Sequence, residues 1–331
     1  MLKINNKTFS NTKVLVIGDA MLDRYFLGKV ERQSPEADVP VVDIDKIVNK
    51  LGGAANVALN IRKMNAQVEL ISCIGDDETA IDFLKELKEN EIISKRILVS
   101  KKRKTTLKGR VYNNDNYLLR LDRETIEDFN AEESYLLLQK IKQSIDEFKP
   151  DVAILQDYNK GLFTAENISD IISLLQNNNI KISVDPKKDN FLAFKDVDLF
   201  KPNLKEISEA LGITIDPTNK LNLLNTCKIL NEKINCKTSL ITLSEHGVIA
   251  YGEGEDLLHF PAFKRKVLDV SGAGDTVISV ASLFLALDYT NENIAFFSNL
   301  AGGMTIEQKG VIAITIDDFI NEINKKIIVN E

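Results

Sequence analysis

The chain contains no tryptophan and only two histidines, His246 and His259. A His-based zinc centre or a His-centred nucleophilic triad therefore has almost no material to build from, and stacking on a ligand would fall to Tyr and Phe. The three cysteines, Cys73, Cys227 and Cys236, form neither a CxxC pair nor an even set. Because residues 1–13 also lack a leader-like pattern, the thiols are expected to be reduced and the protein cytoplasmic. The longest charge-free apolar run covers about residues 277–287. That is well short of the ~20 residues needed to cross a bilayer, so no membrane partner is expected. Positive charge is in deficit: 42 Lys and Arg against 49 Asp and Glu give a net charge of −7, which argues against a nucleic-acid partner. Neither GxxxxGK(S/T) nor GxGxxG occurs, which removes the P-loop and the dinucleotide fingerprint. Internal repeats, low-complexity tracts and long Gly/Ser/Pro linkers are also missing, so residues 1–331 are read as one domain.

With 331 residues, 44% of them hydrophobic, the chain can bury a large core. Residues 13–18 form a continuous apolar run ending in Gly18, the pattern of a buried parallel strand. Similar runs recur at 68–74, 152–156, 182–184 and 240–243, with helical stretches between them at 56–64, 78–89, 131–148, 165–177 and 221–233. The alternation predicts an α/β fold with a mainly parallel sheet and ligands at the carboxyl ends of its strands. Two segments, about 25–50 and 97–123, break the series. The second alternates on both sides of Asn113-Asn114-Asp115-Asn116, a hairpin pattern. Together they are expected to form a small β-sheet lid.

Residues Gly272-Ala273-Gly274-Asp275-Thr276 run directly into an apolar helix. The glycines can take backbone angles closed to other residues, and the first turn of a helix offers unpaired N–H groups to an anion. Asp275 beside such a cradle could accept a proton from a hydroxyl, which points to phosphoryl transfer to an alcohol. The competing reading makes Asp275 a plain N-cap.

Other polar clusters lie where strands end. Asp19 and Asp23 follow the first strand, where carboxylates could hold a pair of sugar hydroxyls; a solvated turn would look the same. Gly52 and Gly53 precede Asn56 at a helix start and would let a ligand approach the backbone. Strand alternation puts Lys108 and Arg110 on one hairpin face, with Arg120 on the facing strand, a basic patch suited to an anionic substrate group. Leu119 and Leu121 would then anchor the opposite face. Asp157, Lys160 and Lys187 follow two more strands. Asn203 and Glu206 are three positions apart and could share a helix face near a hydrated Mg²⁺, or form an ordinary cap. Ser244 and Gly247 follow the 240–243 run, where Gly247 could let the turn pass close to a nucleotide; Asn299 lies on a late helix.

The segments around Gly52-Gly53 and Asp269–Asp275 resemble the two signatures of the ribokinase-like (pfkB) family of sugar kinases, and the similarity covers essentially the whole chain. Longer stretches, among them Asp157-Tyr158-Asn159-Lys160-Gly161 and Lys201-Pro202-Asn203, resemble the branch that phosphorylates O1 of D-glycero-β-D-manno-heptose 7-phosphate for ADP-heptose and lipopolysaccharide synthesis. The resemblance implies a three-layer α/β/α fold with a small lid, ATP and Mg²⁺ as cofactors, and homodimerisation through the lid. It implies Asp275 as base, Gly272, Ala273 and Gly274 as anion hole, and Asp23, Gly52, Gly53 and Asn56 as sugar-binding positions. Asn203 and Glu206 correspond to Mg²⁺–phosphate positions, Ser244, Gly247 and Asn299 to the ATP site, and Asp269 to a K⁺ site of some members. In many bacteria this kinase is fused to an adenylyltransferase, which here is expected on a separate polypeptide. Ribose-type members often carry Asn where this chain has Met21, which counts against a simple ribokinase. Kinases of fructose, fructose phosphate or nucleosides remain rivals. A dehydrogenase on a similar frame lacks its fingerprint, and a non-catalytic sugar-phosphate sensor would not need Asp275.

Overall fold

A computed structural model of the chain describes residues 4–252, 254–308 and 310–329. Strand β1 (Lys13–Gly18) is followed by the long pair β2 (Ala20–Gln33) and β3 (Pro40–Gly53), helix α1 (Ala54–Lys63), β4 (Gln67–Ile71), β5 (Cys73–Gly75) and α2 (Glu78–Glu89). The short β6 (Leu98–Ser100) precedes the hairpin β7 (Leu107–Asn113) and β8 (Asn116–Arg123). The chain then alternates through α3 (Ala131–Glu147), β9 (Val152–Gln156), α4 (Ala165–Gln176), β10 (Lys181–Asp185), β11 (Leu199–Phe200), α5 (Leu204–Leu211) and α6 (Lys220–Ile234). It ends with β12 (Thr238–Thr242), β13 (Val248–Gly252), β14 (Leu258–Phe260), α7 (Ala273–Ala286), α8 (Asn291–Thr305) and α9 (Ile316–Val329).

Eight strands form the main sheet in the order β14-β13-β12-β11-β10-β9-β1-β4, parallel from β12 to β4 and antiparallel at the other end. Its strands are apolar on both faces because helices cover both. Val14 and Val16 of β1 pack into the core with α1, α7 and α8, while Leu15 and Ile17 face the core with α3, α4 and α6. This is the ribokinase-like three-layer α/β/α arrangement. The strand order reverses at β1, whose neighbours are β4 and β9; in open α/β sheets ligands bind beyond the carboxyl ends of the strands at such a point.

The second sheet has the order β3-β2-β7-β8, with β2 and β7 parallel and the other pairs antiparallel. It begins earlier than alternation predicted. Residues 19–23 read as a loop, but Ala20 already pairs with Gly53, so Asp23 stands within a strand. The run expected at 68–74 is split at Ser72, whose hydroxyl accepts the Ala20 N–H at 3.1 Å and whose carbonyl accepts the Leu98 N–H at 2.9 Å. Those bonds turn β5 away from the main sheet to pair with β6. Leu119 and Leu121 do not anchor the strand as expected: they are 54% and 44% exposed, with no layer of the described residues covering them.

Candidate active site

A buried polar ladder joins α1 to α7. Asn60 Nδ2 donates to the Asn56 carbonyl at 2.9 Å and Thr276 Oγ1 donates to Asn60 Oδ1 at 2.9 Å, while Ser279 Oγ, which donates to the Asp275 carbonyl at 2.6 Å, also lies 3.2 Å from the Val57 carbonyl. Buried hydroxyls and amides must find partners, so the ladder fixes the register of the two helices. It brings Asn56 Nδ2 to 2.7 Å from Asp275 Oδ2 across 219 residues of sequence.

Gly272, at φ +82°, is the N-cap of α7, and Asp275 is the third helical residue. The plain-cap reading of Asp275 therefore fails: no side chain caps this helix, and the carboxylate turns away from it. Besides Asn56, Asp275 accepts at Oδ1 from the Tyr158 hydroxyl at 2.8 Å and from Gln156 Nε2 at 3.4 Å. Burial pushes its pKa from 3.8 to about 6; the Asn56 and Tyr158 hydrogen bonds and Lys201 oppose the rise, and Asp185 adds to it. A carboxylate so tuned is ionised near neutrality and can still hold a proton. The Ala273 N–H turns back to the Val270 carbonyl at 3.3 Å. Gly274 and Asp275 follow it in the first turn, where the helix's own ladder supplies no acceptor. A Cβ on Gly274 would lie 3.6 Å from Lys201 Nζ, so a buried ammonium stands beside this turn. Lys201 pairs with Asp185 at 3.1 Å, and Asp185 also accepts from Gln156 at 3.1 Å. Gln156 Oε1 and Asp185 Oδ1 are buried without a hydrogen-bond partner among the described residues.

Tyr158, Gln156, Asp185 and Lys201 were not singled out from the sequence. Each ends a strand or follows one, and the clusters containing them were recognised, but linear order does not say which member faces the base.

The strand-end loops are tied to one another. Asp19 Oδ2 accepts the N–H groups of Tyr158 at 2.9 Å and Lys160 at 3.1 Å. Asp157 accepts the Asn159 N–H at 2.7 Å and Asn190 Nδ2 at 3.3 Å. Burial raises the pKa of both carboxyls; the charge of Asp19 adds to the rise at Asp157, and backbone N–H groups oppose it in each. Lys160 Nζ pairs with Glu124 at 2.9 Å, which ties this loop to the end of the second sheet. Lys187 pairs with Glu206. Burial disfavours its charge, but Asp185 and Glu206 prevail and raise its pKa. Asn203 and Glu206 form a reciprocal capping box at the start of α5, so the cap reading of that spacing is realised.

On the second sheet, Asp23 is 3% exposed and pairs with Arg110. The space beside Gly52 is filled by the Asp23 carboxylate, against which a Cβ would collide, so this glycine admits a side chain of the chain itself. Gly53 takes φ +57° where β3 turns into α1. Arg110 faces Arg120 and Lys108 faces Asp122 across β7 and β8, so all four share one sheet face. Lys108 binds Asp122 at 3.2 Å and Glu124 at 3.0 Å. Arg120 is half exposed and forks onto Asp122 at 2.8 and 2.9 Å.

Beyond β12, Ser244 has φ +52° and opens a single 3-10 turn. Gly247, at φ +88°, lies against the chain just after β14, where a Cβ would meet the backbone of Pro261 and Ala262. Its close approach is thus to the protein's own backbone. Asn299 Nδ2 donates to the Pro261 carbonyl at 2.9 Å and ties the same segment to α8. Asp269 accepts the N–H groups of Ser271 and Gly310, both at 2.9 Å, which with the Ser271 hydroxyl hold its pKa below the ordinary value despite burial. Among the described residues no group of three His, Cys, Asp or Glu forms a metal cluster, and no helix is long and apolar enough to cross a membrane.

Residues 11–318 match the model of the pfkB family carbohydrate kinases. The bifunctional protein HldE of Aliarcobacter butzleri is 37% identical over 305 residues, 92% of this chain and 63% of that protein. HldE of Helicobacter pylori is 36% identical over 319 residues, 96% of this chain and 68% of that one. The chain thus spans less than two thirds of the first of these relatives. Among solved structures, phosphofructokinase-2 from Escherichia coli in complex with potassium superposes with a TM-score of 0.77 at 19% identity, over 96% of this chain and 99% of that one. A ribokinase assignment carried by an Agrobacterium tumefaciens structure gives 0.73 at 16% identity, over 96% and 99%. At such identities these two likenesses speak for the fold, whereas the family match and the HldE relatives speak for descent. The chain belongs to the pfkB family of carbohydrate kinases, enzymes that phosphorylate sugars with ATP as donor.

Proposed function

We propose that the protein transfers the γ-phosphoryl group of ATP to O1 of D-glycero-β-D-manno-heptose 7-phosphate, giving the 1,7-bisphosphate for ADP-heptose and lipopolysaccharide core synthesis. The observation that carries the chemistry is the buried Asp275 carboxylate at the start of α7, with its pKa raised to about 6. As the acceptor hydroxyl attacks phosphorus, Asp275 takes its proton. The Gly272-Ala273-Gly274 turn would form the anion hole for the charge on the transferring oxygens, the Ala273 N–H joining it only on leaving the Val270 carbonyl, with Lys201 adding a fixed positive charge nearby. Asp23, Gly52, Gly53 and Asn56 lie on the β2/β3–α1 side of Asp275, where the sugar would sit. Gly247 and Asn299 meet at the segment after β14, with Ser244 opening the turn that ends in Gly247, and these three would line the nucleotide site.

The heptose reading is supported by the HldE relatives and by the basic sheet face. Arg110, Arg120 and Lys108 are held by carboxylates here, and a substrate phosphate would compete for their donors. Strands around 25–50 and 97–123 would then act as a lid that excludes water. Asn203 and Glu206 would hold a Mg²⁺ ion through water, since the Asn203 side-chain oxygen and both Glu206 carboxylate oxygens already accept hydrogen bonds within the protein. When bound, the ion neutralises phosphate charge. Asp269 lies just ahead of the Gly272 turn and would flank a K⁺ ion. Ile44, Ile47, Leu119 and Leu121 expose apolar surface on the second sheet, 44–54% accessible each, which a second copy of the chain would cover in a lid-to-lid homodimer.

The deciding experiment measures ADP release by the purified protein with heptose 7-phosphate, fructose, fructose 6-phosphate, ribose and nucleosides. A kcat/KM highest for heptose 7-phosphate supports the assignment. A preference for another sugar moves the chain to a different branch, and binding without turnover makes it a sensor.

A further inference from the structure

The loop after β9, residues 157–161, is held from several sides. Asp19, at the end of β1, binds the N–H groups of Tyr158 and Lys160 through one oxygen. Asp157 closes a turn on the N–H of Asn159, which stands at φ +52°. Arg103 donates to the Lys160 carbonyl at 2.6 Å while its guanidinium lies 5.0 Å from the Phe129 ring centre. Gly161, at φ +83°, lies so close to the Glu127 carbonyl that a Cβ would collide with it. Asp19 and Asp157 are 5% and 1% exposed. Two buried carboxylates in one loop anchor are unfavourable in themselves, and their burial raises the pKa of both.

What this anchored loop presents to the site is the Tyr158 side chain. Its hydroxyl donates to Asp275 Oδ1 at 2.8 Å, and its ring lies 5.4 Å from the Lys187 ammonium. Oδ1 is thereby engaged by Tyr158 and Gln156, while Oδ2 carries a hydrogen bond from Asn56. Each carboxylate oxygen has two lone pairs, so Oδ2 keeps one for an incoming hydroxyl.

We infer that Tyr158 is a positioning residue for phosphoryl transfer and that Asp19 acts through it, fixing the loop backbone so that the phenol can fix the Asp275 carboxylate. The inference rests on the proposed role of Asp275 as base. Asp19, expected at the sugar, takes a different role here, because its Oδ2 aims at backbone N–H groups of the loop.

The test uses Tyr158→Phe, Asp19→Asn and the double variant in the full chain. Phenylalanine keeps the ring against Lys187 and removes only the hydroxyl. The charged and titratable groups around Asp275 stay unchanged in Tyr158→Phe: Asp185 and Lys201 from the ends of β10 and β11, Lys187 from the following loop, and Asp23 with Arg110 from the second sheet. Loss of a hydrogen bond to a charged group lowers kcat about tenfold to a hundredfold, with the sugar Kd near that of the wild type. Because the lost donor favoured the ionised form, the acid limb of kcat/KM moves to higher pH. Asp19→Asn moves the limb the same way, and the double variant is no worse than the more damaging single one, since both act on one path.

An acid limb that stays in place in Tyr158→Phe overturns the inference. So do additive losses with a weakened sugar Kd in Asp19→Asn, which would make Asp19 a sugar ligand. Failure of the underlying reading is seen in a different protein: wild-type turnover by Asp275→Asn removes the base, and the inference with it.

Discussion

Replacing Asp275 by Asn changes activity and stability in opposite directions, and the structure gives a size to each. The carboxyl is 5% exposed, and burial carries its pKa from 3.8 to about 6. The folded state therefore binds this proton more tightly than the unfolded chain does. Below the unfolded value both states are protonated and the group has no effect on stability. Between about 4 and 6 the unfolded chain ionises first, and above about 6 the folded protein carries a buried charge. The rise corresponds to about 3 kcal/mol that the wild type lacks at neutral pH and that Asn, which does not ionise, never loses. Asn can keep both main contacts. Its oxygen accepts from Asn56, its amide donates to the Tyr158 oxygen, and the phenol hydroxyl turns to suit. Urea unfolding across pH 4–7.5 should thus show the wild type losing about 3 kcal/mol relative to the variant, equivalent to about 4 °C in Tm for a chain of this length. Over the same range kcat of the variant should be down by about 10²–10⁴, the usual loss for a missing general base. Parallel stability curves would refute the burial argument. A folded variant within about threefold of wild-type kcat, against that expected loss, would refute the assignment of the base.

Three further substitutions probe the surroundings. Glu206→Gln preserves the capping box with Asn203 but weakens the contact with Lys187. It should raise the Mg²⁺ concentration for half-maximal rate and leave sugar affinity unchanged; an unaltered Mg²⁺ titration makes Glu206 a cap only. Arg120→Ala should lose about tenfold to a hundredfold in kcat/KM with heptose 7-phosphate and little with the dephosphorylated sugar. Equal losses on both would assign Arg120 to the lid structure and its pair with Asp122. Lys201→Met leaves Asp185 buried without its cation and should destabilise the fold by about 3–5 kcal/mol; a thermal midpoint equal to that of the wild type would mean the pair is not buried in solution.

The family and its main architecture were legible because they rest on local patterns. Apolar runs ending in glycine, alternating with amphipathic helices, specify a parallel sheet whatever the distant contacts are. The Gly272–Asp275 segment declares an anion-receptive helix start because φ > 0 and a missing Cβ are properties of the residues themselves. The Asn203/Glu206 spacing likewise carries its own cap geometry. What the sequence could not decide was direction. Asp275 could have capped its own helix. It points to the centre because Asn56, held by the Asn60–Thr276 ladder, meets it from another element. Asp23 reads as a loop residue until β2 is seen to start at Ala20, since pairing with β3 and β7 is a long-range choice. Leu119 and Leu121 have the alternation of an anchored strand, but whether a second layer covers them is a property of the packed chain. Tyr158 is one polar residue in a run of four, and Asp19 one acid in a strand-end turn. Only the adjacency of β1 and β9 brings Asp19 onto the Tyr158 backbone and the phenol onto Asp275. Local propensity and missing side chains determined which segments could be strand, helix or cradle; the tertiary structure decided which side chains face one another, because hydrogen bonds and burial depend on distances that linear order does not contain.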